Sequence, residues 1–485
     1  MTTGTKWSAY QEAIFTFGRE ETGNAIVNAV AGSGKSTTLV QLIKELKGST
    51  IFLAFNKAIA DDLKNKGVNA RTFHSLCYSP VLRHKKVQQV TENKLRRIID
   101  AKLTGEDVAL YGTFVVRLVG LARQVGIGCL VPDTEGAWME LVIHHDLEPE
   151  SEQADLGRGI ELAQKVLAYS NRQAMIDFDD MLYIAVKDGL NLQKFDNVLV
   201  DEAQDTNAIQ RAILRKIMHS KTRLIAVGDP AQAIYGFRGA DSNSMNLLKE
   251  EFKCKELPLS ISYRCPTSVV KHAQQWVEHI EAAPGAAEGE VLSRGMEWSY
   301  SEFSPGDLVV CRATAPVIKL AFGMLKNRVP VQVMGREIGQ GLVKLIDRMG
   351  AGSIDDLEVS LRAYTDREVQ KAIAKKDEAK AEAISDKTDA VLTLIEGLEE
   401  SERTIPALKE LIDSLFRGSR GATILSTIHK AKGLEADTVF WLNSSQCPAQ
   451  WARQEWQQQQ EVNLCYVAVT RAKQTLVLIE EKESK

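Results

Sequence analysis

No Cys-x-x-Cys pair occurs in this chain, no apolar run is long enough to cross a bilayer, and no signal-peptide core opens it. Each absence excludes a class. Cys77, Cys129, Cys254, Cys265, Cys311, Cys447 and Cys465 are odd in number and scattered, so they read as reduced thiols, not as a disulfide framework or zinc site. The missing leader and span set aside secretion and membrane insertion, and the expected compartment is the cytoplasm. The net charge is only −4, so no global field draws the chain to a polyanion, and any nucleic-acid contact must come from a local groove. There is no repeat at solenoid periods and no low-complexity tail. His144-His145-Asp146 could suggest a metal, but no third cluster joins it, and a surface loop is the expectation. At 485 residues the chain exceeds one ordinary core, so two or more domains are expected.

What is present begins with Asn24-Ala-Ile-Val-Asn-Ala-Val-Ala-Gly-Ser-Gly-Lys-Ser36. An apolar run reads as a buried strand, Ala31-Gly32-Ser33-Gly34 as a tight loop, and Thr37 to Lys44 as a helix by its apolar spacing. In a strand-loop-helix of this kind the loop N–H groups and the positive end of the helix dipole wrap a β-phosphate. Lys35 would reach the β- and γ-phosphates and the Ser36 hydroxyl would ligate Mg2+. Ala29 stands where the usual pattern has Gly, and the bland alternative is a Gly-rich turn that happens to precede Lys-Ser.

Other short β-rich runs, Thr50 to Phe55, Asn197 to Asp201 and Arg223 to Gly228, adjoin helical patterns, the signature of a parallel sheet covered by helices. The second run ends in two carboxylates: Asp201 would hold Mg2+ and Glu202 would polarise the attacking water. Lys35 and Asp201 lie 166 positions apart, more than one sheet needs, so a helical segment from about Ser79 to Ala174 is read as inserted. A second α/β series follows, with strands at 307–311, 329–334, 422–426, 438–442 and 475–479, interrupted between Gly341 and Arg420. There, Lys371 to Lys380 reads as a solvated helix face.

The remaining segments fall in an order that resembles the UvrD/Rep/PcrA family of superfamily 1 DNA helicases. Phe55-Asn-Lys-Ala-Ile-Ala60 is similar to motif Ia, Thr72-Phe-His-Ser-Leu76 to Ib, and Asp201-Glu-Ala-Gln-Asp-Thr206 to II. Val227 to Ala240 matches III, Ser262-Tyr-Arg-Cys265 IV, Ser426 to Glu435 V, and Cys465-Tyr-Val-Ala-Val-Thr-Arg-Ala472 VI. The family also uses the Ala-first phosphate loop. The resemblance covers nearly the whole chain and implies two RecA-like P-loop NTPase domains, each a parallel sheet with flanking helices and a helical insertion. The implied division is 1–78 and 175–258 for the first domain with insertion 79–174, and 259–340 and 421–485 for the second with insertion 341–420.

By the same resemblance the nucleotide is ATP with Mg2+, held by Ala31, Gly32, Ser33, Gly34, Lys35, Ser36 and Thr37. Arg264 and Arg471 deliver positive charge to the γ-phosphoryl group. Gln232 senses that group, adenine lies against Tyr263 with Gln11 at its edge, and Glu435 meets the ribose. The Gln11 match is looser, because Tyr10-Gln-Glu-Ala-Ile14 departs by a residue from the commonest spacing. DNA contacts fall to Phe55, Asn56, Lys57, Thr72, His74, Tyr235, Phe237, Arg238 and His429, with bases stacking on the rings. Arg83 to Lys86 and Lys94 to Arg97 could track phosphates, or be solvated helix faces. The implied activity is an ATP-dependent 3′→5′ DNA helicase and single-strand translocase acting on single strands and single-strand/duplex junctions. Its rival is a DNA-stimulated NTPase switch that displaces proteins without processive unwinding. The insertion at 341–420 is expected to regulate, not power, the motor.

Overall fold

The computed structural model describes residues 6–149, 151, 154–236, 239, 243–374, 377–417 and 421–482. The chain forms two compact units, Met1–Ala29 with Gly34–Leu259, and Val30–Ser33 with Ser260–Lys485.

In the first unit β1 (Ala25–Ala29), β2 (Thr50–Leu53), β3 (Ala70–Arg71), β4 (Asn197–Val200), β5 (Arg223–Gly228) and β6 (Lys255–Leu259) form one sheet in the order β3-β2-β4-β5-β1-β6. Every pairing is parallel, with Ile26 beside Ala226, Val198 beside Leu224 and Phe52 beside Leu199. The central strands are buried on both faces and so need apolar residues throughout. Adjacent residues separate to opposite cores: Val27, Phe52, Leu199 and Ile225 to one, and Ile26, Ile51, Val198 and Leu224 to the other. The edge strand β6 tolerates Pro258, which has no N–H to give a further neighbour.

The first face is covered by α1 (Ala9–Glu20), α2 (Lys35–Glu45) and α3 (Lys57–Asn65). The second is covered by α4 (Phe73–Lys85), α5 (Lys94–Lys102), α6 (Gly105–Val125), α7 (Glu135–His144), α8 (Leu156–Arg172), α9 (Phe178–Lys187), α10 (Ala208–Ile217) and α11 (Ser244–Phe252). Leu118 and Ile160 of the inserted helices share one core with Ile51 and Val198 of the sheet. The boundary read at 78/79 therefore falls inside the continuous helix α4. Three expectations are corrected here. His145 is buried at the C-terminus of α7, not in a surface loop, and burial pushes its imidazole down to about 4. Lys94 is buried rather than solvated. The 21-residue α6 is long and apolar enough by composition to cross a bilayer, but Phe114, Val115, Leu118 and Val119 bury one side of it in this core.

In the second unit β7 (Ile261–Ser262) pairs with β8 (Glu281–Ala282). A second all-parallel sheet, ordered β11-β12-β10-β13-β14-β9, is built from β9 (Glu290–Gly295), β10 (Leu308–Cys311), β11 (Val331–Val333), β12 (Thr423–Thr427), β13 (Ala436–Leu442) and β14 (Ala472–Ile479). Its helices are α12 (Thr267–Ala273), α13 (Ala315–Lys326), α14 (Arg336–Met349), α15 (Ile354–Ala374), α16 (Glu378–Gly397), α17 (Ile405–Arg417), α18 (Ile428–Ala431) and α19 (Glu455–Val469). The run Lys371 to Lys380 is not one helix face: Asp377 is the N-cap of a new helix, α16, which starts at Glu378, while Lys375 and Lys376 lie outside the described residues. The 340/341 boundary falls inside α14. Leu342, Leu394, Leu408 and Ile412 of the second insertion share a core with Val309 and Leu425 of the sheet, so this segment is not a detachable module.

All six strands of the first sheet run the same way, so their carboxyl ends share one edge. Residues 30–36 follow β1, Phe55 follows β2, Thr72 follows β3, Asp201 follows β4 and Asp229 follows β5. That edge is where open parallel sheets bind ligands.

Candidate functional site

The loop after β1 turns on two residues in the left-handed region, Gly32 at φ 71° and Gly34 at φ 76°. Gly34 caps α2 without a side chain, and the first helical bond is Thr38 N–H to the Gly34 carbonyl, 2.9 Å. The N–H groups of Lys35, Ser36 and Thr37 therefore precede the helix's own bonding, the arrangement that receives an anion. The buried Ser33 hydroxyl has no hydrogen-bond partner among the described residues, which suits a phosphate oxygen.

Three acids meet one lysine here. Lys35 Nζ lies 3.0 Å from Glu202 Oε1, and the Ser36 hydroxyl donates to Asp201 Oδ2 at 3.0 Å. Burial alone would lower the Lys35 pKa, but Glu202, Asp229 and Asp201 outweigh it and hold the ammonium above its ordinary value. Burial, reinforced by Glu202, pushes Asp201 up to about 6. Burial also raises Asp229, against the pull of Lys35. Excess negative charge beside a hydroxyl is the chemistry of a divalent-cation site. No group of three or more His, Cys, Asp or Glu side chains forms a metal cage among the described residues. The Ser36 hydroxyl beside the Asp201 carboxylate is a donor set that suits Mg2+, which binds through one or two carboxylates plus phosphates.

Glu202 sits at φ 51° and ψ 43°, a backbone region that costs a non-glycine residue about 1–2 kcal/mol. Buried Gln204 holds it there: its amide donates to Glu202 Oε2 and its carbonyl accepts the Asp229 N–H at 3.0 Å. Gln204 thus bridges Glu202 to the turn that carries Gln232, whose amide donates to Asp229 Oδ2 at 2.7 Å. Sequence reasoning passed over Gln204; its signal is its place two residues after Glu202. Gln11 is fixed by the capping box of α1 and donates to Thr38 Oγ1 at 3.0 Å.

In the second unit Arg264 Nε donates to Glu435 Oε2 at 2.6 Å and its Nη1 to the Thr470 carbonyl at 3.2 Å. Glu435, expected at a ribose, is thus engaged by an arginine. Arg471 is buried, donating to the Val467 carbonyl at 2.9 Å and Thr470 Oγ1 at 3.1 Å. Within the same unit the Tyr466 hydroxyl accepts the Ala31 N–H at 2.9 Å, and Tyr263 N–H donates to the Gly32 carbonyl at 2.9 Å. A Cβ on Gly32 would lie 2.5 Å from the Arg264 Cβ, so only glycine fits. Tyr263 leaves its ring exposed, and His429 is half-buried on α18.

A cavity of about 370 Å³ opens at the carboxyl edge of the first sheet, lined among others by Phe55, Thr72, His74, Arg123, Asp179, Asp201, Glu202 and Tyr235. Phe55 is 47% exposed and stacks on Tyr235, centroids 6.0 Å apart and planes 10° apart. Phe178, 58% exposed, meets His74 edge-on at 6.4 Å. Burial holds His74 below its ordinary pKa, so it is a neutral ring at pH 7. Asp179, Asp201, Glu202 and Asp205 make the lining acidic, which repels phosphates, while the aromatic rim offers π-faces to bases.

The family description UvrD/REP helicase N-terminal domain matches residues 8–253, and UvrD-like helicase C-terminal domain matches 367–483. The chain belongs to the UvrD/Rep helicase family. F-box DNA helicase protein 1 of Schizosaccharomyces pombe is 26% identical over 93% of this chain and 55% of its own length. F-box DNA helicase 1 of Gallus gallus is 25% identical over 94% of this chain and 47% of its own. DNA helicase II of Escherichia coli is 26% identical over 60% of this chain and 44% of its own. The chain thus spans about half the length of these curated relatives.

Of the residues expected to contact DNA in this UvrD/Rep chain, Phe55, Thr72, His74 and Tyr235 line one cavity. Asn56 and Thr72 also cap helices, accepting the Ile59 N–H at 2.9 Å and the Ser75 N–H at 3.1 Å. Lys57 is exposed at the start of α3. Phe237 and Arg238 lie outside the described residues. Phe178 went unread, although an aromatic between aspartates at a helix start is an unusual exposed position.

Asp179 provides a pH test. Burial, with Asp177 and Asp180 nearby, pushes its carboxyl up to about 6. A pKa raised on folding means the folded state binds the extra proton, so the charged form costs stability above about pH 6 and the cost fades as pH falls towards about 4. Asp179→Asn is expected to stabilise the protein at pH 7 by on the order of 1–3 kcal/mol, with little gain near pH 4. Urea unfolding at both pH values checks this, and equal effects at both would contradict it.

Proposed function

We propose that this chain is an ATP-dependent DNA helicase of the cytoplasm that moves 3′→5′ along single-stranded DNA and acts at single-strand/duplex junctions. The observation that carries the reading is the shared cavity: Phe55, His74 and Tyr235 line the same space as Asp201 and Glu202. A base stacked on the rim therefore sits beside the acids that govern hydrolysis. The phosphate loop holds ATP through its N–H groups and Lys35. Mg2+, held by Ser36 and Asp201, would supply charge neutralisation at the phosphates. Phosphate that draws Lys35 away from Glu202 frees this carboxylate to orient the attacking water. Gln204 transmits shifts in the Asp229–Gln232 turn to Glu202.

ATP turnover measured with and without oligothymidylate tests this, with strong stimulation expected. Phe178→Ala and Phe55→Ala should each weaken strand binding by about 1–3 kcal/mol, roughly tenfold, the worth of one stacked base. Unchanged affinity in both would show that the rim does not hold DNA. Stimulated turnover without unwinding from either tail would support the NTPase switch instead.

A further inference from the structure

The inserted helices of the first unit meet α9 through charge, and they do so at one turn. Lys94 of α5 is fully buried, its ammonium 2.5 Å from Asp180 Oδ2 and donating to the Ser170 carbonyl of α8 at 2.9 Å. Arg123 of α6 is also buried and grips both oxygens of Asp177 through Nη1, at 3.0 and 2.9 Å. Its Nη2 donates to the Ser170 hydroxyl and lies 3.3 Å from Asp180 Oδ1. Two cations thus meet two anions, with Asp179 a third acid in the field of Arg123.

The two aspartates already have a local task. Asp177 caps α9 and accepts the Asp180 N–H at 2.9 Å, while Asp180 accepts the Asp177 N–H at 3.0 Å. That box satisfies the helix start without help. Two buried cations are more than capping needs, and burying four charges is costly where apolar packing would join helices as well. What charge adds is direction, because a buried guanidinium that donates to Asp177 through one nitrogen and to Ser170 through the other has few orientations open to it. The residue next to the gripped Asp177 and two before the gripped Asp180 is Phe178, whose ring stands exposed against His74.

We propose that Lys94, Arg123, Asp177 and Asp180 form a positioning hub that locks the first turn of α9 to the inserted helices and so presents Phe178 ready-oriented to a DNA base. The inference rests on the strand-binding reading above. An exposed ring on a locked backbone loses little freedom when a base stacks on it, so the hub acts on affinity through Phe178 and not through its own contact with DNA. The inserted helices thereby help build the strand-binding face without touching the strand.

Lys94→Met/Asp180→Asn tests this, since it removes one cation with one anion and leaves Arg123 paired with Asp177. The introduced amide keeps an oxygen for the Asp177 N–H. The half-saturating concentration of labelled oligothymidylate is measured for wild type, this double variant, Phe178→Ala and the triple variant, together with strand-free ATP turnover and the KM for ATP. The double variant should raise that concentration about 5–10-fold, part of what a lost stacked base costs. In the Phe178→Ala background it should add no more than about twofold, because coupled residues are not additive. Strand-free turnover and the KM for ATP should stay as in wild type, and amides 178–181 should exchange hydrogen faster. Equal losses in both backgrounds, no loss, or unchanged exchange overturns the hub. Failure of wild type to bind oligothymidylate overturns the strand-binding reading itself.

Discussion

Lys35→Ala is expected to abolish ATP turnover, and Glu202→Gln to do so while sparing ATP binding. In the first variant the phosphates lose their cation, and Asp201, Glu202 and Asp229 lose the ammonium that they hold above its ordinary pKa. In the second the side chain keeps its shape and its place on Gln204, but an amide cannot pull a proton from water. Removing either group should lower the rate by at least roughly 10²-fold. Steady-state turnover, paired with binding of a fluorescent ATP analogue, separates the two: Lys35→Ala should lose both and Glu202→Gln only the first. Near-normal turnover in either variant would falsify the assignment of this site.

Arg471→Ala and Arg264→Ala are expected to cripple hydrolysis. An arginine supplied to a γ-phosphoryl group is worth about 10³-fold or more. Truncation of Arg471 also removes its 2.9 Å bond to the Val467 carbonyl and leaves that carbonyl with the Thr470 hydroxyl at 3.4 Å, so lost stability could imitate lost chemistry. Arg471→Lys separates the causes, because it keeps the charge but not the planar fork, and its melting temperature should fall less than its rate. If both alanine variants keep wild-type DNA-stimulated kcat, the arginines do not serve the nucleotide.

The central strands and the motifs at their ends were legible because a strand buried on both faces writes a continuous apolar run, and Lys35, Asp201 and Glu202 interrupt such runs with charge. The edge strand β6 was not legible: Lys255, Glu256 and Pro258 break its apolar pattern, and only pairing with β1 makes it a strand. Lys94 reads the same whether it is solvated or paired, and its partner Asp180 lies 86 positions away. Phe178 went unread because the sequence alone does not tell an exposed phenylalanine from a core one; its exposure and its edge contact with His74 mark it. Both insertions looked separable in sequence, yet each shares its core with a sheet face, a fact carried by contacts far apart in the chain.

The most direct measurement of the central claim is ATP-driven unwinding of two duplexes that differ only in the polarity of a single-stranded tail. A UvrD-type motor built on this cavity and phosphate loop should unwind the duplex with the 3′ tail, only with hydrolysable ATP, and should leave the 5′-tailed duplex paired. Unwinding solely from 5′ tails, or unwinding from the 3′ tail that survives Glu202→Gln, would contradict it.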